Sequence, residues 1–577
     1  MTMLTKWGAA LDRSCPLPEY PRPQLRRESF YNLNGIWDYA VTPSGDEPEV
    51  WDGEIVVPFS PEAPLSGAAR GPAKDEYLHY RRGFTLPEGF QQSRVLLHFG
   101  AVDQIAEVFV NGVSAAKHSG GYWPFSADIT SLLREGENIL RVTVRDNADD
   151  PTFAYGKQRY KRGGMWYTAQ SGIWQTVWLE SVPEVYVKSL RITPEFDEAR
   201  VRIELETALE SSAAITCDVR AADGSFVAGS WAKGGVCVVP LPGFRAWTPD
   251  DPYLYTLDIT CGEDRVESYF AMRKFSYVEL GGHKVFGLNN APLFHNGLLD
   301  QGYYPDGLLT PPSDEAMVND IETMKRCGFN MLRKHIKIEP LRWYYHCDRL
   351  GMIVWQDMVS GGQPYSFLHV SALPTLGKVD LPDQDAKPYG RSGVLSRARF
   401  RREMADTVRL LYNCPCIALW TVFNEGWGQF DALDMANELK KLDPTRFIDH
   451  ASGWQDQGYE EMKSRHIYFR PVKLKNDGRA LALTEYGGYI LAVDGHRWTD
   501  KVFGYRICRN SAALAHDYEK LMLGQVLPHI RKEGLTAAVY TQITDVEEEL
   551  NGLMTYDREV LKIPEETLRE INKQLKF

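Results

Sequence analysis

The stretch "CIALWTVFNEGWGQFD", Cys416 to Asp431, decides the fold. Eight apolar or nearly apolar residues run without interruption from Cys416 to Phe423, which reads as a strand buried on both faces, as in a parallel sheet. Asn424 and Glu425 follow at once, then glycines and aromatics ahead of a helical pattern. Polar groups at the carboxyl end of a buried parallel strand lie where α/β folds place their chemistry. Outward from this stretch, "PLFHNGLL", "FNMLRK" and "MIVWQ" precede it as strand candidates, and "RFIDH", "HIYF", "ALALTE" and "TAAVYTQ" follow. Helical patterns separate several of them. In "PPSDEAMVNDIETMKRCGF", Ser313 caps, acids fill the first turn, Met317, Ile321 and Met324 recur at helical spacing, and Gly328 ends the pattern. Eight strand candidates in about 300 residues predict a (β/α)8 barrel over residues 277–577. A doubly wound open sheet would need fewer strands and usually a glycine-rich phosphate loop, which the sequence lacks.

Upstream the grammar is all-β. Residues 1–184 read as a jelly-roll-like sandwich: Asn111-Gly112 sits between two strand-like runs and suits a type I′ turn. "NILRVTVRD" alternates Leu140, Val142 and Val144 with Arg141, Thr143 and Arg145, predicting one buried and one wet face. Residues 185–276 read as an immunoglobulin-like sandwich, with Val201, Ile203 and Leu205 alternating against charged neighbours. "WTPDDPYLYTLDI" is a turn near the end of that module.

Composition bounds the function. At 577 residues the chain is a multidomain protein. A net charge of -12 and a pI near 5.7 give no basic field for phosphate backbones, which argues against nucleic acid as a main partner. The nine cysteines are scattered through the chain and read as reduced thiols; with no signal-like apolar segment and no transmembrane run, the expectation is a cytoplasmic protein without a membrane partner. Cys414-Pro415-Cys416 has no second ligand pair for zinc.

At the predicted barrel mouth, four carboxylates end strands or begin loops: Asp300, Asp357, Glu425 and Glu485. Glu425 and Glu485, after the fourth and seventh strand candidates, suit a retaining glycosidase, which needs two carboxyl groups about 5–5.5 Å apart. The acid needs a raised pKa and the nucleophile a low one. Trp427 is placed to dry the surroundings of Glu425, Tyr486 and Tyr468 to offer hydroxyls to Glu485, and Asn424 to donate to a sugar 2-hydroxyl. A lone glutamate at a strand end is more often a cap or a solvated loop residue, so the pair carries the argument.

The order of the three modules, with "NLNGIWDYAV", "SGIWQTVWLE", "WTPDDPYLYTL", "GFNMLRKH", "DRLGMIVWQDM", "FNEGW" and "LTEYGG", resembles glycoside hydrolase family 2, which includes β-galactosidases, β-glucuronidases and β-mannosidases. The resemblance implies Glu425 as acid/base, Glu485 as nucleophile, Arg333 as support for the nucleophile, and His335 near the substrate. It places His466 and Tyr468 at the end of strand six, Tyr468 as the aromatic beside the nucleophile. Asp357 and, on the eighth strand, Tyr540 join the substrate-binding candidates. The resemblance implies no organic cofactor; some β-galactosidases of the family use Mg²⁺ beside the acid/base, but the Glu/His ligand set for it is not recognisable ahead of "FNEGW", and a homo-oligomer follows by analogy alone.

On the sugar, the family's β-glucuronidases use an Asn-x-Lys pair after strand eight, whereas this chain reads "DVEEELNGLMTYDR" there. No lysine stands in that stretch, and Glu547, Glu548 and Glu549 would repel a uronate if they faced the pocket; the alternative is a solvated acidic face. In the strand-one loop Asp300 and Gln301 stand where β-galactosidases carry histidines, and Tyr303 and Tyr304 could stack on a ring. "VWQDM", with Trp355, leans toward the β-mannosidase style. Asp149 and Asp150 are the candidates for an acid sent from the first domain. The expectation is a retaining exo-β-glycosidase for a neutral hexose, β-galactosidase-like; glucuronidase, mannosidase and exo-glucosaminidase specificity are alternatives, as are a mainly transglycosylating enzyme and a non-catalytic carbohydrate-binding protein.

Overall fold

The computed structural model describes residues 3–209, 214–376 and 380–577. The first sandwich pairs a six-stranded sheet containing Gly35–Thr42, Tyr77–Thr85 and Glu137–Arg145 with a four-stranded sheet containing Val177–Val182 and Arg94–Phe99. Trp37, Tyr80, Leu97, Val142 and Leu179 fill the space between them. Asn111 and Gly112 take the positive φ angles, 51° and 81°, that the hairpin turn between Ile105–Val110 and Val113–Ser119 requires. Leu140, Val142 and Val144 are core as expected, but the opposite face is covered too. Arg141 lies over the Phe109 ring at 4.0 Å, and Thr143 meets His79. The second sandwich packs Val187–Glu195, Arg200–Thr207 and Val236–Pro240 against a four-stranded sheet, with Val201, Ile203 and Leu205 turned inward.

The barrel strands are β1 (His295–Asp300), β2 (Met331–Lys334), β3 (Ile353–Asp357), β4 (Ile417–Thr421), β5 (Phe447–Asp449), β6 (Met462–Ile467), β7 (Ala480–Gly487) and β8 (Leu535–Thr541). They hydrogen-bond in parallel in the order β5-β4-β3-β2-β1-β8-β7-β6, and β5 and β6 are neighbours that complete a nearly closed ring. The α-helix Asp314–Arg326 between β1 and β2 is capped by Ser313, whose hydroxyl accepts from Ala316 N, and it buries Met317, Ile321 and Met324. β6 differs from its expected position: it runs Met462–Ile467, so Tyr468 and Phe469 lie beyond its end.

Side-chain parity decides what each strand offers. Leu299, Met331, Ile353, Trp355, Ala482, Ala537 and Val539 point into the barrel, and alternate residues Leu298, Leu332, Val354, Ala538 and Tyr540 point out to the helices. The hairpin Phe275–Leu280/His283–Leu288 plugs the bottom of the barrel, with Phe286 stacked on Phe447 at 4.3 Å and edge-on to Trp355. Trp247, in the turn closing the second sandwich, donates to Asp348 O and ties that module to the barrel. All nine cysteines are free thiols, with Cys15 alone exposed. Among the described residues no helix is long and apolar enough to cross a membrane.

Candidate active site

At the open end of the barrel one guanidinium organises the floor. Arg333, fully buried at the end of β2, grips Asp357 with Nε and Nη2 at 2.9 and 3.0 Å. Its Nη1 donates to Glu485 Oε1 at 3.2 Å and Thr484 O at 3.1 Å, and Nη2 donates to Asn424 Oδ1 at 2.9 Å. Burial opposes ionisation of Asp357, but the Arg333 charge and the His335 hydrogen bond prevail and hold its carboxyl down at about 2. His335 Nδ1 lies 2.8 Å from Asp357, and burial drives its pKa down to about 3, so its ring is neutral. Asn424 presents its carbonyl to Arg333, which leaves its amide N–H groups facing away from the guanidinium.

Glu425 sits past the end of β4 with φ +55°, a left-handed backbone that a non-glycine residue adopts only when held. What holds it is β5's loop: Glu425 N donates to Ser452 O at 2.9 Å, and Trp454 Nε1 donates to Glu425 O at 2.9 Å. Glu485 reaches the same space from β7, where the pairing register shifts between Leu483 and Tyr486. Such a local bulge re-aims a side chain. Tyr468 OH donates to Glu485 Oε2 at 2.6 Å. His466 stands between the two, its Nδ1 2.8 Å from Glu425 Oε1 and 3.5 Å from Glu485 Oε2. Within this trio a ligand atom from each residue lies within 4.8 Å of the others. The three are also the described group whose donor atoms could surround a metal ion, but each is already engaged in hydrogen bonds that suit proton sharing.

The two carboxylates are not equivalent. Burial raises Glu425 to about 7 against the opposing charges of Lys157 and Arg333. Glu485 is raised as well, by burial first and by the Glu425 charge, with His466, Arg333 and Tyr468 pulling the other way. The low nucleophile pKa expected from sequence is therefore not found, because Glu485 keeps only 7% of its side chain exposed and shares its enclosure with a second carboxylate. Glu425, 22% exposed, opens to a cleft of about 190 Å³ lined by Trp454, Tyr468, Phe469, Tyr505 and Met165. Tyr505 stacks on Tyr468 at 3.9 Å.

Several predicted contacts turn elsewhere. Asp300 follows the inward Leu299 and so faces outward, where it binds Lys334 at 2.6 Å within a buried Lys334–Glu339–Lys337 network. Tyr540, by the same parity, packs against Tyr486 and Tyr518 on the helix side. Tyr486 OH points to Met522 Sδ rather than to Glu485. Gln301 stays at the mouth, donating to Gln542 at 2.9 Å. Tyr303 is buried against Tyr167, and Tyr304 under Arg558, so both pack the loop rather than line the cleft. Trp355 lies in the barrel interior on Phe286. Trp427 is buried, edge-on to Trp166 at 5.1 Å and near Tyr155.

Trp166 and Tyr155 belong to the first sandwich, whose loop after strand Glu137–Arg145 crosses the barrel mouth. Tyr155 N and Gly156 N both donate to Ser360 O, beyond β3. At the far side Glu547, Glu548 and Glu549 receive the loop: Thr168 N donates to Glu547, Gly164 N to Glu548, and Tyr167 OH to Glu549. These glutamates are thus neither a solvated face nor free pocket charges. Asp149 pairs with Arg159, and Asp150 caps Thr152, so neither is held at the carboxylate pair; the residue of this loop that lines the cleft is Met165, and the Lys157 charge acts on Glu425 from the same loop. Sequence reading missed Lys157, Trp454, Ser452 and Tyr505, which lie on loops with no periodic signal.

Sandwiches feeding a barrel whose fourth and seventh strands deliver paired glutamates define the class, that of the glycosyl hydrolases. Residues 64–183 match the sugar binding domain of glycosyl hydrolases family 2, residues 185–273 the family's central domain, and residues 311–474 its TIM barrel domain. The chain belongs to glycoside hydrolase family 2. It is 25% identical over 387 residues to a β-galactosidase of Thermoanaerobacter pseudethanolicus, covering 64% of this chain and 47% of that one. It is 22% identical over 535 residues to a β-glucuronidase of Paenibacillus borealis, covering 82% and 85%. The chain spans about half the length of the β-galactosidase. Among solved structures, an uncultured Clostridium β-glucuronidase superposes with a TM-score of 0.75 at 19% identity, covering 96% of this chain and 99% of that one. An Eisenbergiella tayi β-galacturonidase bound to galacturonate gives 0.72 at 18%, covering 96% and 99%. At these identities the likeness is one of fold.

Proposed function

We propose that the protein is a retaining exo-β-glycosidase. The observation that carries this reading is the Glu425–Glu485 pair, close enough to act on one anomeric carbon, with unlike surroundings. In this reading Glu485, held by Arg333 and Tyr468, attacks the anomeric carbon as the glycosidic bond breaks. Glu425, on the side of the open cleft, gives its proton to the departing oxygen and then removes one from the water that releases the sugar. Asn424, oriented by Arg333, donates to a ring hydroxyl.

Glu425 must carry a proton to act as acid. As pH rises through about 7 that proton is lost, so kcat/KM on an alkyl β-glycoside, whose leaving oxygen needs a proton, is expected to fall on the alkaline side with a limb near pH 7, and a profile level to pH 9 on that substrate would remove Glu425 from the role. Gly453, at φ +94°, lies so close to His466 that an added Cβ would sit 2.5 Å from its Cγ. Gly453→Ala is therefore expected to displace His466, lower kcat/KM by about 10-fold or more and shift that alkaline limb; retention of both would show that His466 has no hold on Glu425.

For the sugar, the sequence favours a neutral hexose, β-galactosidase-like, and the strand-eight loop keeps one ground for it: its Lys562 is consumed by Asp545 at 2.6 Å. The other ground, repulsion by Glu547–Glu549, is weakened because those side chains accept from the first-domain loop, although the Glu549 and Glu425 charges still oppose each other. A second reading, an acidic terminal sugar, is favoured by Lys157. Nitrophenyl β-galactoside, glucoside, mannoside, glucuronide, glucosaminide and arabinoside, with the product anomer followed by NMR, test the function. Release of the β-anomer first is expected. Sugar binding without turnover of any of them would favour the non-catalytic alternative.

A further inference from the structure

Beyond β6, Phe469 and Arg470 line the cleft beside Glu425. The Phe469 side chain is 72% exposed, apolar surface left uncovered at the reacting end of the barrel. It meets Tyr505 edge-on at 5.0 Å, Tyr505 stacks on Tyr468 at 3.9 Å, and Tyr468 donates to Glu485, so one aromatic wall runs outward from that carboxylate. Gly488 makes room for this wall, since an added Cβ there would sit 2.4 Å from Tyr505 Cδ2. Trp454 lines the same cleft, its Nε1 taken by Val370 O and Glu425 O. Polar groups nearest Glu425 are engaged as well. Tyr468 OH is shared between Glu485 and Thr541, and His466 between Glu425 and Ser452; burial drives the His466 pKa down to about 4, so its ring is neutral. Arg470 is the cation of the lining, and among the described residues it has no carboxylate, hydrogen-bond or ring partner. Its neighbours Arg465 and Arg479 are bound to Asp380 and Asp456.

We propose that this cleft is the aglycone subsite and that it takes a planar aromatic leaving group with an acidic substituent, the ring against Phe469, Tyr505 and Trp454 and the anion on Arg470. The proposal rests on the reading of Glu425 as acid/base and names the leaving group of that same reaction. Glu425 protonates the departing oxygen, so whatever departs occupies the space outside it. A second sugar would bring several hydroxyls to rings whose N–H and O–H groups are committed, whereas a flat ring asks for stacking. Exposure alone would make Arg470 an ordinary solvated cation of little energetic weight. A ring lodged on Phe469 changes that, because it fixes its substituent beside the next residue, where the guanidinium fork meets a carboxylate with two hydrogen bonds. Glu425 does not oppose this anion, since as the acid it is protonated.

The test compares wild type, Arg470→Met and Phe469→Ala on the 4-carboxyphenyl, 4-(methoxycarbonyl)phenyl and methyl β-glycosides of the sugar that the nitrophenyl panel selects, and on a disaccharide of that sugar whose leaving residue is a uronate. The acid-to-ester ratio of kcat/KM is the readout, because comparing it between variant and wild type cancels differences in leaving ability and in the Glu425 pKa. Arg470→Met is expected to lower that ratio by about 10-fold, and salt at about 0.5 M to narrow the wild-type ratio while leaving that of Arg470→Met unmoved. Phe469→Ala is expected to lower kcat/KM on both aryl glycosides by about 3- to 10-fold relative to the methyl glycoside. Thermal unfolding checks that each variant is folded. Calorimetric binding of the same aryl glycosides, as galactosides where the panel is silent, to Glu485→Gln with and without Arg470→Met reports independently of turnover. A preference for the acid that Arg470→Met removes, in a protein whose wild type turns over nothing, ends the glycosidase reading and upholds the aromatic-anion site. Acid and ester treated alike in turnover and in binding, with no change in Arg470→Met, overturn the proposal. So does a uronate disaccharide taken ahead of the carboxyphenyl glycoside, which would make the leaving group a sugar.

Discussion

Glu485→Gln is expected to lower kcat by about 10⁴-fold or more, since removing a nucleophile leaves only binding and electrostatic stabilisation to act. Gln fills the same volume and can still accept from Arg333 or Tyr468. The fold should survive for a second reason. Glu485 has a pKa above that of a free carboxylate, so its ionised form is disfavoured by the folded state at pH values above the unfolded pKa. Replacing it with a neutral amide at pH 7 is expected to leave Tm unchanged or higher. A Glu485→Gln protein with wild-type turnover would end its assignment as nucleophile, and one that loses activity only by unfolding would show a lowered Tm.

Azide separates the two carboxylates by the product it makes. A Glu485→Gly variant leaves an open space on the face from which the nucleophile attacks, and azide entering there gives the α-glycosyl azide, of opposite configuration to the substrate. Glu425→Ala leaves the nucleophile in place; a nitrophenyl leaving group departs without a proton, and the glycosyl-enzyme then waits for a base. Turnover there is expected to fall by about 10²–10⁴-fold, and azide should restore it while giving the β-glycosyl azide. An exchange of the two anomers between the variants would exchange the two roles. The cleft beside Glu425, against the deep enclosure of Glu485, supports the order stated.

"FNEGW" and "LTEYGG" named Glu425 and Glu485, and "LRKH" named Arg333 and His335, all of which the structure brings to one mouth. Asp300 is a candidate for lying at a strand end and Tyr540 for its place on the eighth strand, yet the alternation through Leu299–Asp300 and Val539–Tyr540 turns both outward. That parity was present in the sequence and would have excluded them. No comparable local signal marks Lys157 or Trp454, whose places depend on contacts with residues about 200 or more positions away or on a neighbouring loop.

What the sequence by itself determined is the set of elements: eight apolar strands of a barrel, two alternating β modules ahead of it, and the glutamates that end strands four and seven. These follow from short-range periodicity, which is written in neighbouring residues. Only the tertiary structure decided the pocket's chemistry. Glu425 rises to about 7 because burial in the assembled site disfavours its charge, and Glu547–Glu549 turn from open pocket charges into acceptors for backbone N–H groups and a tyrosine of another domain. The Lys157 charge comes to act on Glu425 only when the sandwich docks on the barrel. Burial and charge pairing are properties of the assembled volume, and no local stretch of the chain encodes them.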